Sequence, residues 1–264
     1  MPASRTAHPL IDTGPEAQHL LAAFYTTARA GHLDRLAGGG GPLGFDITTA
    51  CQLHVLLSMF GCDGIVESGC HLGDTTDYLS RAYPALPVRS CDLDPGRAAF
   101  TRRRLAGRSN AEVRCGDSAL LLKDLMAGME RPLVFLDAHW SSVWPLRAEL
   151  GVLEQRAAVV VVDDFDIGHP RFGFDSYEGV VCGPQLVAKA LPHLERMFVA
   201  DPEADYPFPC LQTGRRSGTG ILLPNLDDTL LAGHPYFAEV PLRPLPVLPT
   251  WTSTPSAAAV RSCC

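Results

Sequence analysis

Three apolar runs in this chain stop abruptly at carboxylates: Val66-Glu67-Ser68-Gly69, Phe135-Leu136-Asp137-Ala138-His139 and Val159-Val160-Val161-Val162-Asp163-Asp164. Short runs of this kind read as buried parallel strands, whose carboxyl ends open onto the ligand crevice of an α/β sheet. A carboxylate is costly to bury, so several at one sheet edge point to a bound cation or a polar cofactor.

The first run continues into Glu67-Ser68-Gly69-Cys70-His71-Leu72-Gly73-Asp74-Thr75-Thr76. Gly69 and Gly73 permit a tight turn and close approach of backbone to a ligand. A dinucleotide site would want Gly-x-Gly-x-x-Gly, and the Gly-x-x-x-Gly spacing here fits that poorly. Cys91-Asp92-Leu93-Asp94-Pro95 then places an acid at a second strand end, where it can accept from both ribose hydroxyls of a nucleoside-type cofactor. Cys115-Gly116-Asp117-Ser118 ends a third strand, and Asp117 could meet an adenine amino group. Any one of these acids could instead be an ordinary helix cap. Three in register are harder to read that way.

These motifs resemble those of class I S-adenosylmethionine-dependent methyltransferases, over about residues 45 to 225. The resemblance implies that Glu67 and the Gly69–Gly73 turn contact the methionine part, that Asp92 binds the ribose, and that Asp117 and Ser118 flank the adenine. His71 stands where many members have glycine, which leaves the local turn geometry open. Asp137 followed by the Asp163-Asp164 pair is similar to the divalent-metal site of the catechol and macrocin-type O-methyltransferases. Hard oxygen ligands of this kind suit Mg²⁺, and a metal-bound hydroxyl is more acidic and better oriented. The bland alternative has Asp137 holding substrate or cofactor alone and the acidic pair capping a loop. His139 stands where macrocin-type enzymes carry an acid proposed as general base. A histidine there could take a substrate proton at neutral pH or could simply be hydrogen-bonded at the strand end. Asp137 and His139 are the expected catalytic residues.

The elements that must position these residues alternate. Strands read at about 63–67, 87–92, 111–115, 132–137 and 158–163, with helices at about 74–83, 95–106, 118–128 and 143–156 between them. This order implies a doubly wound, mostly parallel Rossmann-like α/β sheet. Later strands near 194–200 and 219–223 suit an antiparallel edge, and a helix is expected near 184–191. Before the sheet lie a helix from Pro15 to about Ala30, the linker Gly38-Gly39-Gly40-Gly41-Pro42, and a helix capped by Asp46 or Thr48. The expected organisation is an amino-terminal extension (1–44), a catalytic domain (45–240) and a Pro-rich, flexible tail (241–264). The loop 167–182, rich in Gly and aromatics, reads either as a water-excluding substrate lid or as an irregular connection packed by its own rings. Trp140 and Trp144 are candidates to line the crevice, and His169 or Arg171 to meet an anionic substrate.

Composition narrows the partners. With 22 basic and 29 acidic residues the net charge is −7, which argues against nucleic acid and anionic membranes. Arg102-Arg103-Arg104 reads as a solvated helix face. The nine cysteines include no Cys-x-x-Cys pair, and no run reaches transmembrane length, so a reduced, cytoplasmic protein is expected. Lys123 and Lys189 are the only lysines beside many arginines, a bias that fits a GC-rich genome and natural-product tailoring. The leading expectation is a Mg²⁺-assisted O-methyltransferase acting on a small hydroxylated molecule. Alternatives are a metal-free enzyme using His139 on a nitrogen or carboxylate, a noncatalytic cofactor binder, and a nicotinamide dehydrogenase. The amino-terminal helices are candidates for docking on a second subunit.

Overall fold

The computed structural model describes residues 15–30, 39–138 and 144–251. In chain order the elements are α1 (Pro15–Thr26), α2 (Ile47–Phe60), β1 (Gly64–Ser68), α3 (Asp74–Ala82), β2 (Val88–Asp92), α4 (Pro95–Arg104), β3 (Ala111–Cys115), α5 (Ser118–Leu125), β4 (Pro132–Leu136), α6 (Leu146–Leu153) and β5 (Val159–Val162). After these come the short strands β6 (Phe172–Gly173), β7 (Ser176–Tyr177) and β8 (Val180–Val181), then α7 (Pro184–Ala190), β9 (Arg196–Ala200), β10 (Arg216–Ser217), β11 (Gly220–Leu222) and β12 (Phe237–Pro241). Helix starts follow from side-chain caps: Asp46, Asp94 and Asp117 accept from the backbone N–H groups of Thr48, Arg97 and Ala119, satisfying donors a helix leaves orphaned.

The main sheet runs β12-β9-β11-β5-β4-β1-β2-β3. β1 through β5 are parallel to one another, while β11 runs antiparallel to β5 and β9, and β12 antiparallel to β9. This is the expected doubly wound Rossmann-like sheet with an antiparallel edge. β12 was not expected. Glu239 and Pro241 interrupt its apolar pattern, which an edge strand tolerates because one flank makes no ladder.

The strand runs are continuously apolar because both faces are covered. Ile65, Leu133, Phe135, Val159 and Val161 pack with α1, α2 and α3 residues such as Phe24, Leu53 and Leu79. Their alternating neighbours Val66, Val134, Leu136, Val160 and Val162 pack with Leu122, Leu150 and Val187 of α5, α6 and α7. The two-residue period thus divides one run between two cores.

Both chain extensions join this body. Ala30 N–H donates to Asp74 at 2.9 Å and Leu43 N–H to the Thr75 hydroxyl at 3.0 Å, so residues 28–30 and 39–45 border the start of α3. Beyond β12, Leu242 is buried and Trp251 donates its indole N–H to the Ile167 carbonyl at 2.8 Å. Of the tail expected to be flexible from residue 241, Leu242 and Trp251 are tied to the body, while Leu245 and Val247 are 75% and 68% exposed. Among the described residues no helix is long and apolar enough to cross a membrane, and the described cysteines are all free thiols.

Candidate active site

In the order β3-β2-β1-β4-β5 the chain winds outward in both directions from the β1/β4 pair. A crevice opens at such a switch point, beyond the strand carboxyl ends. Gly69 sits at it with φ +83°, and a Cβ there would lie 2.6 Å from the Asp137 carbonyl oxygen and 2.9 Å from Ala138 Cα. Gly73, at φ +76°, is equally closed, since a Cβ would meet Thr101 Cγ2 at 2.6 Å. The turn is fixed from below by the Gly69 and Cys70 N–H groups, which donate to the Cys91 carbonyl at 3.0 and 2.9 Å. From the side, the Thr101 hydroxyl donates to the His71 carbonyl and Arg104 to the Leu72 carbonyl at 2.8 Å.

His71 resolves the question its position raised. It adopts φ +46°, a left-handed conformation, which explains why glycine is the easier residue at that place. Histidine is among the residue types that enter this region most readily, and its N–H is held by Asp92 Oδ2 at 2.8 Å.

The expected cofactor acids play distinct parts. Glu67 is fully buried and pairs across the sheet with Ser90 on β2 and Phe135 on β4. Its Oε2 accepts from the Ser90 hydroxyl at 2.6 Å and from the Thr76 hydroxyl, while Oε1 has no partner among the described residues. Burial pushes its carboxyl up to about 7, against the opposing pull of those two hydroxyls. Glu67 thus ties β1, β2 and α3 together beneath the turn rather than facing open space. Asp92 is 7% exposed at the end of β2, with Oδ2 on His71 N–H and Oδ1 on Asp94 N–H at 2.9 Å. Each oxygen keeps acceptor capacity. Asp117 is the α5 cap, its Oδ1 accepting from Ala119 at 2.9 Å, so the helix-cap alternative is realised for one of its oxygens. Ser118 is buried beside it.

Asp137 and Asp163 follow directly on β4 and β5, whose last residues Leu136 and Val162 are register partners. Their N–H groups donate to the Ser68 and Leu136 carbonyls at 3.1 and 3.0 Å, which anchors both backbones. Asp164 turns away. It sits at φ +45°, its Oδ1 accepts from the Ser217 hydroxyl, and Arg215 lies 3.7 Å from the same oxygen. Among the described residues no group of three His, Cys, Asp or Glu side chains is placed to hold a metal ion. The donor types suit Mg²⁺, but the Asp137, Asp163 and Asp164 set expected from the sequence does not converge on one point. His139, the expected base, and Trp140 lie outside the described residues.

Several contributors escaped the sequence reading. Arg104, from the triplet read as a solvated face, is turned inward onto Asp74, Asp77 and the Leu72 carbonyl, while Arg102 and Arg103 are exposed as expected. Arg216 is partly buried, pairs with Asp46 at 2.5 Å, donates to Thr48 at 2.6 Å and lies over the Phe172 ring at 4.5 Å. It joins the amino end of α2 to the loop after β5. The β6–β10 pairing, Arg215 donating to the Phe174 carbonyl at 3.0 Å and Phe165 N–H donating to the Gly218 carbonyl at 2.9 Å hold that loop as a wall. Leu93, 61% exposed between Asp92 and Asp94, offers an apolar surface at the crevice edge.

Fold and crevice define a Rossmann-like α/β protein with a glycine cradle at its switch point. No family model and no curated protein matches the chain. Among solved structures it is similar to the O-methyltransferase TomG from Streptomyces achromogenes, solved with SAM, at 21% identity and a TM-score of 0.45, covering 81% of this chain and 92% of that one. It is also similar to an O-methyltransferase from Bacillus cereus in complex with SAH, at 15% identity and TM-score 0.45, covering 81% and 93%. A putative O-methyltransferase from Klebsiella pneumoniae stands at 18% and 0.44, covering 81% and 92%. Likenesses this weak transfer neither residues nor substrates.

Proposed function

We propose that this chain is an S-adenosylmethionine-dependent O-methyltransferase acting on a small hydroxylated molecule. The observation that carries the reading is the cradle at Gly69, closed to any side chain by Asp137 and Ala138 and flanked at the next strand end by Asp92. An acid on β2 and a bare backbone turn on β1 suit a nucleoside cofactor whose polar tail lies along the turn. Bound there, S-adenosylmethionine supplies an electrophilic methyl group.

The chain's residues divide the remaining work. Asp92 accepts from ribose hydroxyls, and Leu93 gives the adenine an apolar face. The Gly69–Gly73 backbone receives the methionine end, held in shape by Glu67 and Arg104 from beneath. Asp137, directly after β4 and beside the cradle, orients the acceptor hydroxyl, and His139 takes its proton. Holding acceptor and methyl group in line, away from water, accounts for most of the acceleration such a site can give. The wall after β5 excludes water on one side.

Metal assistance needs Asp137, Asp163 and Asp164 on one ion, and Asp164 is already engaged by Ser217 and Arg215. No step is routed through a metal. Transfer of a labelled methyl group to a panel of phenols and alcohols, with EDTA or added Mg²⁺, tests both points. Turnover that survives EDTA is expected. Loss of turnover in EDTA with rescue by Mg²⁺ would restore the metal version. Failure of the chain to bind S-adenosylhomocysteine at all would sink the reading altogether.

A further inference from the structure

A cavity of about 710 Å³ opens beside the carboxyl ends of β4 and β5, between the first turns of α6 and α7 and the β7–β8 hairpin. Its volume suits a small organic ligand. The hairpin is a tight one: Glu178 and Gly179, at its tip, both have positive φ, the pattern of a two-residue turn matched to strand twist. Its base is bolted down, because Cys182 N–H donates to the Asp175 carbonyl at 2.8 Å and Asp166 N–H to the Cys182 carbonyl at 2.7 Å. The walls are therefore preformed.

Those walls leave apolar surface open. Trp144 and Tyr177 pack on each other in the lining with ring centroids 6.2 Å apart and planes inclined by 34°, and Val180 and Val181 are 48% and 39% exposed. Two cations complete the lining: Arg147 in the first turn of α6 and Lys189 on α7. Among the described residues neither meets a carboxylate within salt-bridge distance. Asp166 and Glu178 also line the cavity, and Asp166 Oδ1 is already held by Gly168 N–H at 2.8 Å. With two cations and two carboxylates the lining carries no net charge, so it disfavours a polyanion and meets a single carboxylate only where the two cations stand.

From the aromatic wall and the two unpaired cations we propose that this cavity seats the acceptor, an aromatic carboxylic acid, with its ring against the Trp144–Tyr177 pair and its carboxylate on Arg147 and Lys189. The word acceptor rests on the methyl-transfer reading above. The binding does not. A guanidinium can take a carboxylate through two parallel hydrogen bonds, and a flat ring lies on an aromatic wall without ordering many rotors.

Titration calorimetry of the full chain with protocatechuate, its methyl ester and inorganic triphosphate tests the assignment, with S-adenosylhomocysteine absent and present. The acid is expected to bind at least tenfold more tightly than the ester, with triphosphate weaker than the acid. The double variant Arg147→Ala/Lys189→Ala should bring acid and ester to the same affinity. Both side chains are exposed, so the fold is unaffected, which an unchanged Tm verifies. Equal binding of acid and ester by the wild type, or a preference that survives the double variant, overturns the proposal. Charge-dependent binding of the acid without any methyl transfer upholds the site and refutes the methyltransferase reading. Methyl transfer indifferent to acid or ester upholds that reading and refutes the site.

Discussion

Replacing Glu67 by glutamine tests the account of the turn through its pH dependence. The carboxyl is fully buried, two hydroxyls share one of its oxygens, and its pKa is pushed up to about 7 from 4.5. A carboxyl with a raised folded pKa binds its proton more tightly in the native state than in the unfolded chain. Folding stability is therefore highest with the group protonated and falls as pH climbs from about 4.5 through about 7. A shift of this size corresponds to about 3 kcal/mol. Glu67→Gln removes the titration and keeps the shape. Urea unfolding of both proteins at intervals from pH 4.5 to 8 gives the stability difference directly. Wild type should lose about 3 kcal/mol relative to the variant across that window, then run parallel to it above neutrality. A difference independent of pH would show that the carboxyl is either ionised throughout or solvated, and the buried tie between β1, β2 and α3 would be wrong.

Gly69→Ala should abolish S-adenosylhomocysteine binding in calorimetry, because its Cβ would lie 2.6 Å from the Asp137 carbonyl at a φ that side chains rarely adopt. Retained binding would remove the cradle from the argument. Asp92→Asn should weaken that binding at least tenfold, equivalent to about 1.4 kcal/mol or more, with little effect on the affinity of the acceptor. Arg216→Ala strands the buried Asp46 carboxylate and should cost about 3–5 kcal/mol in urea unfolding. A loss below about 1 kcal/mol would mean that the pair behaves as a surface one.

Much of the fold was legible because its strands are buried on both faces. Val159-Val160-Val161-Val162 needs no alternation when α2 and α6 cover opposite sides of it, so a plain apolar run announces a central strand. The caps Asp46 and Asp117 were visible because a short acid before a helix satisfies its free N–H groups. β12 was hidden because an edge strand does not need an unbroken pattern. The short pairings β6–β10 and β7–β8 were hidden because two-residue strands carry too little pattern to detect.

Among the site residues, the acids were recognisable and their loyalties were not. Asp92 and Asp137 stand at strand ends as their sequence positions imply. Glu67 has the same local context, yet register sets it against Ser90 and beneath Thr76, and it becomes a buried tie. Asp163 and Asp164 are neighbours in the chain, but a left-handed turn at Asp164 delivers its carboxylate to Ser217 and Arg215, residues more than fifty positions away. Arg104 and Arg102 share a triplet, and the helix face alone decides that one holds the turn while the other faces water.

The sequence alone determined the alternation of strands and helices through β5, the parallel character of that half of the sheet, and the place where its acids and glycines gather. Those are consequences of local period, caps and turn chemistry. Tertiary structure decided which acids remain open to a ligand, which are consumed as ties, and where a lined cavity is left beside them. Those outcomes depend on register and on contacts between residues far apart in the chain, which no local pattern encodes.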